Sequence, residues 1–249
     1  MTQEPILHHY DFSPFAEKIR LALGLKKLHW RSVIAPSVMP KPDLVALTGG
    51  YRHIPVLQIG ADVYCDTRRI ARELDRRHPS PPLSDEGIAG IVTAIEAWAE
   101  RDLFWPAVRF VSGTNADTVD PQLHVDRAAM RGKHPPSHDR LRAVARRELA
   151  QLRPQIRIVE AMLADGRAFL VRDRPSQADL AVYHGLWFLS AMKIDCTHEL
   201  DRSPMTRAWM SRIAAIGHGR STPLSAAEAL EIAAAGTPAS LPPPVEDDS

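Results

Sequence analysis

The chain has 249 residues, enough for one large domain or two ordinary ones, and its 45% apolar and 24% charged content is that of an ordinary globular protein. A formal net charge of +1 gives no electrostatic case for nucleic acid or an anionic membrane as partner. The sequence holds no apolar run of about 18 residues and no N-terminal signal-peptide pattern, and Cys65 and Cys196 are too few for a disulfide framework, so a cytoplasmic, non-membrane protein is expected.

Ile6–Tyr10 reads as a strand. Ser13 is a good N-cap and Pro14 suits the first helical position; Phe15, Ile19, Ala22 and Leu23 then follow at helical spacing, with Gly24 as the expected stop. His29–Ile34 reads as a second strand, and Lys41–Thr48 as a short helix stopped by Gly49-Gly50. Pro55–Ile59 and Asp62–Cys65 flank Gly60-Ala61, a hairpin signal, and Thr67–Arg77 carries Ile70, Ala71 and Leu74 on one helical face.

His78–Pro82 is a linker by composition. Beyond it no strand is expected. Helices are expected over Ile88–Ala99, Leu103–Val111, Ser137–Leu163, Ser176–Met192, Ser203–Ala215 and Ser225–Ala234, with Pro121–Arg131 as the candidate between Ser112 and Pro136. The division is an α/β domain over 1–80, an all-helical domain over 86–235, and a tail over 236–249 whose proline and acid content predicts disorder.

The start of the first helix carries chemistry. Its free amide hydrogens and the positive end of its dipole face whatever lies beyond Ser13, so the spot favours an anion and adds a hydroxyl. An ordinary N-cap serine explains the same residue without function. His8 and His9 point to opposite faces of a strand, and His134 and His138 lack acidic or thiol companions, so no metal site is expected. Arg140, Arg142, Arg146 and Arg147 read as a solvated helix face.

Ser13-Pro14-Phe15-Ala16-Glu17-Lys18-Ile19-Arg20, Ile54-Pro55-Val56-Leu57, Asp66-Thr67, and Phe169-Leu170 with Ser176-Gln177-Ala178-Asp179, in this order and spacing, resemble the cytosolic glutathione transferase superfamily. The resemblance covers most of the chain. It implies a thioredoxin-like N-terminal domain, an all-α C-terminal domain, glutathione as co-substrate without a metal, a small apolar electrophile, and a homodimer. Ser13 would donate to the glutathione sulfur, with Tyr10 as the second candidate. Phe15, Ile54 and a cis Pro55 would border the tripeptide, and Asp66 and Thr67 would hold its γ-glutamyl end. A cation from the region of Lys41, Arg52 and His53 would meet the glycine carboxylate. Ser176-x-x-Asp179 is a capping box and stays outside the site.

Lowering a thiol pKa from about 8.5 by two units corresponds to ~2.7 kcal/mol of preference for the anion, which a hydroxyl donor and a helix N-terminus both supply. Serine cannot form a mixed disulfide, which weighs against a thiol–disulfide exchange role. Aspartate at 66 is shorter than the glutamate usual in the family, which keeps open a noncatalytic ligand- or partner-binding protein. Trp98, Phe104, Trp105, Arg109, Trp187 and Phe188 are candidates for an electrophile pocket, against the alternative that aromatics at helical spacing are core.

Overall fold

The computed structural model describes residues 3–195 and 200–239; Cys196 lies outside them. The strands β1 (Ile6–His9), β2 (His29–Ile34), β3 (Val56–Ile59), β4 (Asp62–Cys65) and β5 (Arg220–Pro223) form one sheet in the order β4-β3-β1-β2-β5. β1 is parallel to β2 and antiparallel to β3, with Leu7 opposite Ser32 on one side and Leu57 on the other. The helices α1 (Pro14–Leu25), α2 (Pro42–Thr48) and α3 (Thr67–Arg77) complete the first 80 residues. Gly49 and Gly50, at φ 66 and 114, end α2 as their freedom in the left-handed region allows.

Gly24 does not stop α1. The helix runs to Leu25, and Lys27 at φ 52 makes the left-handed turn. The glycine is needed for a close approach instead: a Cβ at Gly24 would fall 1.9 Å from the carbonyl oxygen of Gly217.

Beside that approach lies a strand beyond residue 80, where the sequence pattern predicts none. β5 pairs in parallel with β2, from His29↔Arg220 to Ser32↔Pro223. Its sequence, Arg-Ser-Thr-Pro, has no apolar alternation to reveal it, because it is a largely exposed edge strand recruited by backbone hydrogen bonds. α10 (Ala226–Ala235) follows, opened by the Ser225–Glu228 capping box, and Leu224 and Ala229 pack on Ile6 and Val33. The chain therefore returns to its first sheet after the helical region. From the tail, Ala239 N donates to Asp62 Oδ1 at 2.8 Å, while 240–249 lie outside the described residues. Gly24→Ala is expected to destabilise the protein by about 1–3 kcal/mol, because backbone rather than a flexible side chain must give way. Urea unfolding measures this.

The remaining helices are α4 (Ala89–Trp98), α5 (Phe104–Thr114), α6 (Pro121–Ala129), α7 (His138–Met162), α8 (Gln177–Ala191) and α9 (Pro204–Ala214). No break separates α4 from α5, as the sequence pattern had implied; a π-helical turn over Ala99–Leu103 joins them. Pro106 has no N–H for the carbonyl of Asp102, which accounts for the irregular ladder there. Asp179 accepts from Ser176 N, Leu170 N and Trp209 Nε1, each at 2.9 Å, and so ties three segments together as a folding feature.

One apolar core runs from Leu7, Leu57 and Ile70 on the sheet side through Ile19 and Leu23 to Leu103, Leu180 and Leu186. α1 lies in its middle, packed on α8, and every residue from Ala16 to Gly24 is buried. Glu17, Lys18 and Arg20 are therefore interior charges.

Candidate active site

Sheet topology brings the singled-out segments to one end of the sheet. β1 and β2 end together at His9↔Ile34, β3 begins opposite β1 at His8↔Val56, and β4 ends opposite that start at Val56↔Cys65. Ser13, the loop to Lys41, Ile54-Pro55 and Asp66-Thr67 consequently leave the sheet from the same edge. Residues about ten to fifty apart in sequence become neighbours.

Ser13 caps α1 as expected: it is buried, at φ −76 and ψ 115, and its Oγ accepts from Ala16 N at 3.2 Å. Capping uses a lone pair, so the hydroxyl hydrogen stays available for donation. Ile54-Pro55 is cis, as are Met39-Pro40 and Ser80-Pro81. Asp66 caps α3, Oδ1 accepting from Arg68 N at 2.8 Å, and is exposed. Its φ of 72 lies in the left-handed region that non-glycine residues rarely adopt, the sort of local strain that collects at ligand-holding turns. Thr67 is buried, with its Oγ1 accepting from Lys18 Nζ at 3.4 Å.

The cationic side is more elaborate. Lys41 is 3% exposed and, among the described residues, makes one hydrogen bond, a 3.3 Å donation to the carbonyl of Arg52. Burial, reinforced by Arg127 and Arg52 and opposed by Asp126, brings its pKa down to about 8. Asp126, on α6, receives Arg52, its neighbour Arg127 and, at 3.0 Å, the amide of Met39. Arg127 also donates to Tyr10 Oη and to the carbonyl of Ser37, both at 3.0 Å. Tyr10 packs on Phe12 and lies under Lys41 Nζ, 5.8 Å from its ring centroid. His53 is exposed beside Tyr51, its pKa lowered by burial and then by Arg52, Lys41 and Arg127. That disfavours the imidazolium, whereas the buried Lys41 ammonium keeps donors beyond its bond to Arg52, as does the Arg52 guanidinium at Nε.

Phe15 points into an aromatic group between α1, α5 and α8, 4.8 Å from Phe104 and 5.0 Å from His184 between ring centroids. Trp105 meets Phe104 edge-on at 5.4 Å, and Arg109 and Arg131 lie over its ring. The other aromatic candidates go elsewhere: Trp98 donates to Gln155 Oε1 at 3.0 Å, Trp187 lies below Arg20, and Phe188 packs on the core. Burial drives the pKa of His184 down to about 3, so it is neutral.

Two networks of site-supporting residues escaped the sequence reading. Lys18, fully buried, bridges Glu96 at 2.5 Å and Glu100 at 2.7 Å; Arg68 reaches the same pair at 3.4 and 3.0 Å, and Gln177 donates to Glu96 at 3.0 Å. This joins the first turns of α1 and α3 to α4 and α8. Glu17 accepts from Arg20 at 2.7 Å and lies 3.0 Å from His218 Nε2, while Arg20 donates to the carbonyls of Tyr10 and Asp11. The segment before β5 thus supports the loop that carries Ser13. The signal for both was present as three charges, Glu17, Lys18 and Arg20, in an otherwise apolar helix.

The comparisons agree with this architecture. Residues 7–82 match the model of the glutathione S-transferase N-terminal domain, and residues 120–216 that of the glutathione S-transferase C-terminal domain. A solved GST-like protein from Pseudomonas syringae is 40% identical over 98% of this chain and 78% of its own, with a TM-score of 0.75. A glutathione S-transferase from Rhodospirillum rubrum is 21% identical over 85% of this chain and 88% of its own, TM-score 0.62. Poplar glutathione transferase F1 is 14% identical over 93% and 98%, TM-score 0.67. At these identities the last two bear on the fold alone. No curated protein matches the sequence. With both halves of the family matched and a relative 40% identical over 98% of this chain, the chain belongs to the cytosolic glutathione transferase superfamily.

Proposed function

We propose that the protein binds glutathione at the sheet edge described above and transfers its thiolate to a small electrophile with an apolar body. The observation that carries the reading is Ser13: a buried hydroxyl that caps a 12-residue helix with a lone pair and keeps its hydrogen, at the positive end of that helix. Such a group stabilises a thiolate relative to a thiol. Ser13 would donate to the sulfur and would not itself attack. Ile54 would offer backbone groups to the cysteinyl part. Asp66 would pair with the γ-glutamyl ammonium, and the Thr67 hydroxyl with the adjacent carboxylate. Lys41 would take the glycine carboxylate. Phe15, Phe104 and Trp105 would wall the apolar part of the electrophile, and the held geometry supplies proximity. Calorimetric titration with glutathione tests the reading first, since no binding at millimolar glutathione sinks it.

A noncatalytic ligand-binding role is favoured by one observation. Asp126 already engages Arg52, and Arg127 already engages Tyr10, so α6 is latched to the Ser37–Met39 loop and part of the cationic side is neutralised internally. Binding of glutathione without turnover of any electrophile would select this reading.

The glycine-end assignment has a pH signature. Lys41 must be charged to hold a carboxylate, and its pKa of about 8 lies well below the ordinary lysine value of 10.5. Affinity for S-methylglutathione, which has no thiol to titrate, is expected to fall as pH rises above about 8. The same titration of Lys41→Gln is expected to show weaker binding at pH 7 and a smaller fall. Equal pH dependence in the two proteins would remove Lys41 from the site.

A further inference from the structure

Arg127 belongs to two groups of cations. On one side it faces Lys41 and Arg52, the end proposed for the glycine carboxylate. On the other it faces Arg131, which in turn faces Arg109, and these two guanidiniums lie 4.8 and 6.0 Å from the ring centroid of Trp105. Arg127 is fully engaged by Asp126, Tyr10 and Ser37. Arg109 has a loose 3.4 Å contact with Glu148, a carboxylate that Arg147 holds more closely at 2.8 Å. Arg131 is exposed and, among the described residues, has no carboxylate in ion-pair range. Cationic charge in excess of the acids beside it, gathered at an aromatic face, is an electrostatic receptor for an anion. Trp105 is continuous with Phe104 and Phe15, so this receptor adjoins the apolar wall rather than the Asp66-Thr67 corner.

We propose that Arg131 and Arg109, set on Trp105, receive the carboxylate of the electrophile, whose flat apolar body lies toward Phe104 and Phe15. This rests on the transferase reading and sharpens it: the co-substrate is a carboxylate-bearing aromatic or similarly flat molecule rather than a purely apolar one. A planar guanidinium matches a carboxylate, and hydrogen bonds to charged groups contribute about 1.5–3 kcal/mol, roughly a 10- to 100-fold preference over an uncharged counterpart. A model reaction is displacement from 4-chloro-3-nitrobenzoate. The glutathione thiol gives its proton to solvent, its sulfur bonds to the ring carbon, and chloride leaves with the electron pair of the C–Cl bond.

The full-length protein, saturated with S-methylglutathione, should be titrated with 3-nitrobenzoate and with methyl 3-nitrobenzoate. The expected result is at least a tenfold preference for the acid that declines with added sodium chloride and is largely lost in Arg131→Gln/Arg109→Gln. Thermal unfolding run alongside confirms that the double variant is folded. Equal affinity for acid and ester, or a preference unaltered in the folded double variant, would overturn the proposal. So would competition between 3-nitrobenzoate and S-methylglutathione, which would place the anion in the tripeptide's own site. Turnover of 4-chloro-3-nitrobenzoate over its methyl ester, in the presence of glutathione, is the catalytic readout. A retained binding preference without turnover would sink the transferase reading and leave the anion receptor standing.

Discussion

Ser13→Ala is expected to lower the kcat/KM of glutathione conjugation by about 100-fold, the scale of losing one preorganised donor to a developing or resident anion. The pKa of the bound thiol should rise by roughly two units, since two units correspond to ~2.7 kcal/mol of thiolate preference. Thiolate absorbance of the glutathione complex, followed against pH, reads this directly. The alanine also removes the cap on Ala16 N, which costs about 1 kcal/mol of stability on its own. Ser13→Gly separates the two effects, because glycine at an N-cap costs only a few tenths of a kcal/mol yet has no hydroxyl. Both variants should lose the thiolate shift. If conjugation and thiol pKa are unaltered in Ser13→Gly, the donor is elsewhere, and Tyr10 is the next residue to test. Tyr10 accepts from Arg127 and retains its own hydroxyl hydrogen, but its oxygen is drawn toward α6. Ser13 sits at the helix start itself.

The second large effect concerns stability. Lys18→Met is expected to destabilise the protein by about 3–5 kcal/mol, because it leaves Glu96, 5% exposed, as a buried carboxylate beside Glu100 with only Arg68 and Gln177 to offset it. The cost comes from the orphaned charge more than from the lost attraction. Lys18→Met/Glu96→Gln should therefore recover part of the stability, although it removes a second member of the network. Denaturant midpoints for the two variants decide the matter. A loss under about 1 kcal/mol in Lys18→Met would mean that the network is not what joins α1 and α3 to α4 and α8. Because Lys18 also donates to Thr67 Oγ1, glutathione affinity is expected to weaken together with stability.

The two expected results draw on different kinds of information. Ser13 was legible in the sequence because its signal is local: an N-cap residue, a proline at the first helical position and an apolar face within about ten residues suffice to place it. The cis Ile54-Pro55 was expected through the family resemblance rather than from local propensity, and Asp66 as a helix cap from its place ahead of Thr67–Arg77. Lys18 was not. Nothing within α1 states that α8 and the α4 region will cover the side of the helix that carries Lys18. The carboxylates that compensate it, Glu96 and Glu100, are about eighty residues away, and burial of a charge is decided only when those partners arrive.

Strand β5 was missed on the same principle. An edge strand held by backbone hydrogen bonds needs no side-chain pattern, and Arg220–Pro223 has none. Gly24 late in a helix signals a stop locally, whereas its requirement here is set by the carbonyl of Gly217, nearly two hundred residues on. The arginines at Trp105 follow suit: Arg109 on α5 and Arg131 after α6 come together only because the fold sets both against the Trp105 ring.

The sequence by itself determined the order of elements in the first 80 residues, the helical succession that follows and the hydroxyl at the helix start. These depend on periodicity, capping and turn chemistry, which act over a few residues; the family was legible through its resemblance in ordered motifs. The tertiary structure alone decided which charges are buried and that the chain returns as β5 and α10 to its first sheet. Desolvation and ion pairing depend on what lies across the interface, and that is a property of packed elements, not of any one of them.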